Sequence, residues 1–140
     1  MRYLIRFSYD GTKFHGFQRQ NDVRNVQGTL ENILSNVLKE NILIKGSGRT
    51  DAGVHAHDQC AHFDCNGKIL FKDIEKINYL LGKDIVINKC VPVKDEFHAR
   101  YDVKKKMYVY KINNGKYKNE YEGYYYQSKC NYDIKKMKKA

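Results

Sequence analysis

The ten residues at positions 48–57, GRTDAGVHAH, place one carboxylate, Asp51, two positions after Arg49 and between Gly48 and Gly53. Glycines on both sides let the backbone take positive φ or approach another chain segment closely, so the stretch reads as a shaped loop rather than the interior of a helix or strand. An aspartate beside glycine is ordinarily a turn residue that bonds its own loop. The arginine offers a sharper chemistry. A guanidinium can pin a carboxylate in one rotamer and keep it ionised while leaving one oxygen for a substrate. A carboxylate so oriented and partly desolvated is a competent nucleophile.

Other chemistries lack their residues. His55 and His57 would share a face of an extended segment, with Asp58, Cys60 and His62 close by, but there is no HExxH, no CxxC and no H-x-E followed by P-C-x-x-C. Zinc hydrolases and zinc nucleobase deaminases therefore lack their ligand sets, and no metal is expected. A glycosidase would need a second carboxylate facing Asp51, and nothing in the spacing of Asp58, Asp64 or Glu96 selects one. G-T-K-F-H-G at 11–16 lacks the GK[ST] of a nucleotide loop and GxGxxG is absent, which argues against nucleoside triphosphate chemistry.

The elements that must position Asp51 follow from periodicity. Residues 2–9 place Tyr3, Ile5, Phe7 and Tyr9 on one side and Arg2, Arg6 and Ser8 on the other, a strand closed by Asp10-Gly11. From Asn25, a candidate N-cap, Val26, Leu30, Ile33, Leu34, Val37 and Leu38 recur at helical spacing. Residues 42–48 read as a short buried strand leading into the Asp51 loop, and 56–65 as a strand running back. Phe71, Ile74, Ile77 and Leu81 mark a second helix stopped by Gly82, and 84–93 is a fourth strand. The order β-α-β-β-α-β predicts an α+β, ferredoxin-like split domain over residues 1–103, with two helices on one face of an antiparallel sheet and the other face free. Residues 107–114, MYVYKINN, alternate as a further strand and would begin a second, incomplete domain over 104–140.

No apolar run approaches the roughly 18 residues of a membrane span, and the charged start MRYLIRFSYDG is no secretory leader, so a cytoplasmic protein without membrane contact is expected. Four cysteines without a CxxC pair read as free thiols. The formal charge of +10 is uneven: residues 1–103 hold 15 Lys and Arg against 13 acids, and 104–140 hold 11 Lys against 3. Such an excess favours a polyanion, because neutralised phosphates release counterions. Nine of the 12 tyrosines fall between Tyr101 and Tyr132 among these lysines, a mixture suited to stacking on bases and gripping phosphates.

GRTDAGVHA at 48–56 resembles the signature of the tRNA pseudouridine synthase A (TruA) family, and YDGTKFHGFQRQ at 9–20, VQGTLE at 26–31 and FHARYDVKKKMYVY at 97–110 agree with it in order. The resemblance runs from Met1 to about Asn114. It implies an isomerase that turns uridine into pseudouridine in the anticodon stem-loop of tRNA, at positions 38 to 40, without cofactor or metal, and as a homodimer in its full-length form. It also implies that Asp51 is the catalytic aspartate, attacking either the ribose C1′ or the uracil ring, that Arg49 pairs with it, and that Tyr108 stacks on the target base. A base in a helical stem must be flipped out and held. Gln18, Arg19, Arg24, His55, Arg100, Lys104, Lys105 and Lys106 are the expected RNA contacts. Family members carry a second domain of similar fold with the site in the cleft between the halves, so the 140 residues are expected to be a fragment. The rival expectation is a non-catalytic RNA-binding module, although no RNP1-like run is present.

Overall fold

The computed structural model describes residues 1–118 and 125–140. By its internal contacts the chain divides into two units, Met1–Lys104 and Lys105–Ala140.

In the first unit β1 (Arg2–Tyr9) buries Tyr3, Ile5, Phe7 and Tyr9, as its alternation requires. A single 3-10 turn, Gly11–Lys13, follows, and α1 spans Val26–Leu38. Asn25 caps α1: its Oδ1 accepts the Gly28 N–H at 2.8 Å, while its Nδ2 donates to the carbonyls of Val23 and Gln20. After β2 (Lys45–Gly46) and β3 (Ala56–Asp64), α2 spans Phe71–Leu81, its first turn closed by the Asp73 carboxylate on the Leu70 N–H. The helix stops at Gly82, where φ is 72°, and β4 (Ile85–Val93) completes an antiparallel sheet ordered β2-β3-β1-β4. This is the β-α-β-β-α-β architecture expected of a ferredoxin-like domain. Val26, Leu30 and Leu34 of α1 and Ile77 and Leu81 of α2 bury against Ile5, Phe7, Ala61, Phe63, Ile85 and Ile87 of the sheet. Asn78 of α2 closes on the backbone of Ile87 with two hydrogen bonds, of 2.8 and 3.0 Å, beside the register shift between β1 and β4.

Two expectations need correction. The strand foreseen over 42–48 shrinks to two residues. Ile42 and Ile44 are buried, but α1 side chains take their backbone groups: Ser35 Oγ accepts the Ile42 N–H at 2.8 Å, and Glu31 Oε1 accepts the Ile44 N–H at 3.0 Å. A helix here satisfies donors that a neighbouring strand would otherwise satisfy. The second face of the sheet is free only in part: Arg6 and Asp58 stay about half exposed on it, while its other end is covered. Residues 94–101 fold over it, with Arg2 clamped bidentately to Asp64 and donating to the carbonyls of Asp95 and Phe97. Beneath them His62, 1% exposed, accepts the Ala99 N–H on Nδ1 at 3.1 Å, and the rings of His98 and Phe97 pack edge-on against it at 4.6 and 6.1 Å.

The second unit carries a short parallel pair, β5 (Ile112–Asn113) with β6 (Tyr126–Gln127), and α3 (Ile134–Lys139), capped by Asp133. The strand expected over 107–114 is thus confined to two residues. Alternation assigns side chains to faces but supplies no ladder partner, and among the described residues Ile112 and Asn113 are the ones that find one. Among the described residues, no helix is long and apolar enough to cross a membrane.

Burial, reinforced by the nearby charge of His98, pushes His62 from an ordinary 6.5 down to about 4. Above pH 6.5 the ring is neutral whether the chain is folded or not. Between 6.5 and about 4 the unfolded chain takes up a proton that the folded one refuses, so stability falls as pH falls. Denaturant unfolding across that window should decline more steeply for the wild type than for His62→Asn, whose Oδ1 can still accept the Ala99 N–H. Parallel slopes would mean that another group titrates.

Candidate active site

Asp51 stands exposed in the loop between β2 and β3, and the main chain is held on both sides of it. Before it, the Thr50 carbonyl accepts the Phe17 N–H at 2.9 Å, and Thr50 Oγ1 lies 2.8 Å from the Tyr9 hydroxyl. After it, the Gly53 N–H donates to the Phe14 carbonyl at 3.3 Å, and the Val54 N–H turns back to the carbonyl of Asp51 itself. Phe14 and Phe17 are core residues, Phe17 stacking on Phe7 with centroids 6.4 Å apart, so these bonds moor the loop to the hydrophobic interior. Burial pushes the Tyr9 phenol up, leaving it a neutral partner for Thr50. From below, Gln59 accepts from Ser47 Oγ at 2.7 Å and donates to the Gly48 carbonyl at 3.3 Å.

Such close backbone approach has a steric requirement. A Cβ on Gly11 would lie 2.0 Å from the Val54 carbonyl oxygen. One on Gly16, where φ is +87°, would lie 2.9 Å from that of Thr50. Gly11, Phe14, Gly16 and Phe17 therefore position the loop. They went unassigned in the sequence reading, although their spacing within YDGTKFHGF was the available signal.

Arg49 and Asp51 are both exposed, and among the described residues no hydrogen bond or ion pair joins them. The pinning foreseen from the sequence is not formed here. Thr50 is drawn inward by Phe17 and Tyr9, and its two neighbours are left on the solvent side. Of the expected RNA contacts, Arg19 is tied by Nη1 to buried Glu31 at 2.8 Å, and its backbone N–H donates to Gln27. Arg24 pairs with Asp84 at 2.9 Å and lies over the Phe14 ring at 4.3 Å. Both arginines remain about half exposed, and Gln18, next to Phe17, is exposed. His55 is half-buried with its ring turned to Gly11. Arg100 and Lys104 are exposed in the first unit; Lys105, Lys106 and Tyr108, the last 70% exposed, belong to the second. Tyr121 and Tyr124 of the tyrosine-rich stretch lie outside the described residues. Among the described residues, His55, His57, Asp58, Cys60 and His62 do not converge into a metal-ligand set: His62 is on the covered sheet face, and Asp58 is paired with Arg6.

An exposed carboxylate on a loop moored by main-chain bonds is suited to attack a substrate that approaches from solvent. The chain belongs to the tRNA pseudouridine synthase family, whose sequence profile matches residues 5–102, from β1 through the covering segment. Among curated proteins it is 44% identical over 127 residues to the tRNA pseudouridine synthase A of Lactobacillus helveticus, covering 89% of this chain and 48% of that one. To the enzyme of the same name from Limosilactobacillus reuteri it is 42% identical over 144 residues (99% and 56%), and to that of Fervidobacterium nodosum 44% over 142 residues (99% and 58%). The chain therefore spans about half the length of the curated relatives it matches.

The close approach at Gly11 makes a steric prediction. Gly11→Ala must push the loop backbone away, because the blocking atom is a carbonyl and not the end of a flexible side chain. It should lower unfolding stability by about 1–3 kcal/mol or more, read by urea denaturation, with lost amide protection at Gly53 and Val54. Gly67→Ala, which meets nothing within 4 Å, should change stability little.

Proposed function

We propose that this chain is the catalytic N-terminal part of a tRNA pseudouridine synthase acting on uridines of the anticodon stem-loop, at positions 38 to 40. The observation that carries the reading is Asp51, solvent-facing in a loop whose flanks are bonded to the core through Phe14 and Phe17. Asp51 is the nucleophile, forming a transient bond at the ribose C1′ or at the uracil ring. The C1′–N1 bond breaks, the base turns while held, and a C1′–C5 bond replaces it. C5 loses its proton to solvent and N1 gains one. Atoms and oxidation state balance across the isomerisation, so the reaction itself calls for no cofactor.

A detached base must not diffuse away or meet water, and a fixed loop suits that demand better than a mobile one. Arg49, two residues from the nucleophile, supplies positive potential that favours its ionised form and draws in phosphate. Gln18, Arg19, Arg24, Arg100 and Lys104–Lys106 contact the RNA, and Tyr108 stacks on the extruded base. Residues 104–140 are the beginning of a second domain. The complete enzyme is a cytoplasmic homodimer whose partner is tRNA.

The test is tritium release from tRNA carrying [5-³H]uridine, using the chain extended to the length of its relatives. Wild type should release tritium, and Asp51→Asn should release none while binding tRNA within a few-fold of wild type. Equal turnover by Asp51→Asn removes the nucleophile. tRNA binding without turnover by the extended wild type would establish a non-catalytic RNA-binding module instead. Arg49→Ala should lower turnover about tenfold, a loss of about 1.4 kcal/mol in transition-state stabilisation.

A further inference from the structure

Among the described residues, three hydrogen bonds join the Asp51 loop to residues 11–17, two between main chains and one through a side chain. Phe17 to Thr50 and Gly53 to Phe14 are main chain to main chain and survive any substitution that keeps the backbone in place. The third is His55, whose Nδ1 lies 3.0 Å from the Gly11 N–H. Gly11 is buried and opens the 3-10 turn, so its N–H has no partner within that turn. The other polar group at this corner is already engaged: Asp10 Oδ1 accepts from the N–H and the hydroxyl of Thr12, at 2.9 and 2.6 Å.

The same Nδ1 also lies 3.2 Å from Asp10 Oδ1. One nitrogen cannot accept from Gly11 and donate to Asp10 at once. The acceptor role places the ring proton on Nε2 and keeps Gly11 pressed against Val54, the contact that leaves no room for a Cβ. A ring that donated to Asp10 would give up the Gly11 amide and with it this side-chain tie between residue 55 and the 3-10 turn.

We propose that His55 is a positioning residue that sets the Asp51 loop for catalysis through its Nδ1 acceptor bond to Gly11, rather than through contact with substrate. The inference rests on the reading of Asp51 as nucleophile, but its structural half can be tested without turnover. The bond joins two protein segments, so its loss would misplace the nucleophile and leave most RNA contacts intact. A displacement of about an ångström can lower a rate on the order of 10²-fold.

The variants are His55→Ala, which removes the acceptor, His55→Asn, whose Oδ1 occupies the place of Nδ1, and His55→Gln, which moves the acceptor outward. Amide exchange in the 140-residue chain should show protection at Gly11, Gly53 and Val54 lost in Ala and Gln and retained in Asn. In the extended chain, kcat for tritium release should fall on the order of 10²-fold in Ala, with KM for tRNA within a few-fold, and Asn should recover most of it. Unchanged amide protection in His55→Ala overturns the proposal, as does equal damage in Ala and Asn. A raised KM with kcat unchanged also overturns it and makes His55 an RNA contact. If the extended wild type forms no pseudouridine while amide protection follows the predicted order, the catalytic reading fails and the mooring stands.

Discussion

The structure depends on how closely the backbone of residues 11–17 approaches that of residues 50–54. Gly16 and Phe17 lie at the centre of this contact. Their carbonyls accept the N–H groups of Val26 and Gln27, the first of α1, while the Phe17 N–H donates to Thr50. The helix start, with amides that have no partner within the helix, and the loop carrying Asp51 are therefore satisfied by the same few peptide units. Main-chain contact at this range requires glycine where a Cβ would intrude and a buried aromatic anchor to hold the segment down. Gly11, Gly16, Phe14 and Phe17 meet both requirements.

The same solution recurs wherever regular structure lapses. Glu31, 4% exposed on α1, accepts from Arg19, Gln27 and the Ile44 N–H and so replaces the ladder that β2 does not extend. Asn78 does so at Ile87 beside the irregular pairing of β1 with β4. His62 does so at Ala99. Each is a polar side chain in or near the core that accepts a backbone N–H lacking a regular partner. Leaving such a group unpaired would cost about 1–3 kcal/mol. Truncating any of them to alanine removes a neighbour's hydrogen bond as well as its own.

Charge is distributed to complement this arrangement. In the first unit most arginines have acidic partners: Arg2 with Asp64, Arg6 with Asp58, Arg19 with Glu31 and Arg24 with Asp84. Such pairs orient guanidinium groups while leaving part of each exposed, which suits phosphate contacts that need a fixed geometry. In the second unit lysines outnumber acids, and those of α3, Lys135, Lys136, Lys138 and Lys139, are exposed. Flexible ammonium groups of this kind add long-range attraction to a polyanion more than they fix its position.

Much of the protein could be read from its residue order. The helices at 26–38 and 71–81, the Asn25 cap, the Gly82 stop and the β-α-β-β-α-β succession follow from periodicity and capping, which are local and repeat along the chain. Asp51 was visible for the same reason, as a carboxylate set among glycines in one short loop. The truncation of β2, the cover over the second sheet face, and the separation of Arg49 from Asp51 were not visible. They depend on which distant groups meet: Glu31 with Ile44, His62 with Ala99, and Phe17 and Tyr9 with Thr50. Sequence alone determined which segments are helix or strand and which loop carries the carboxylate, because those are properties of neighbours along the chain. Only the tertiary structure decided what holds that loop and which way its side chains face, because a hydrogen bond between residues more than thirty positions apart exists only after the sheet has brought them together.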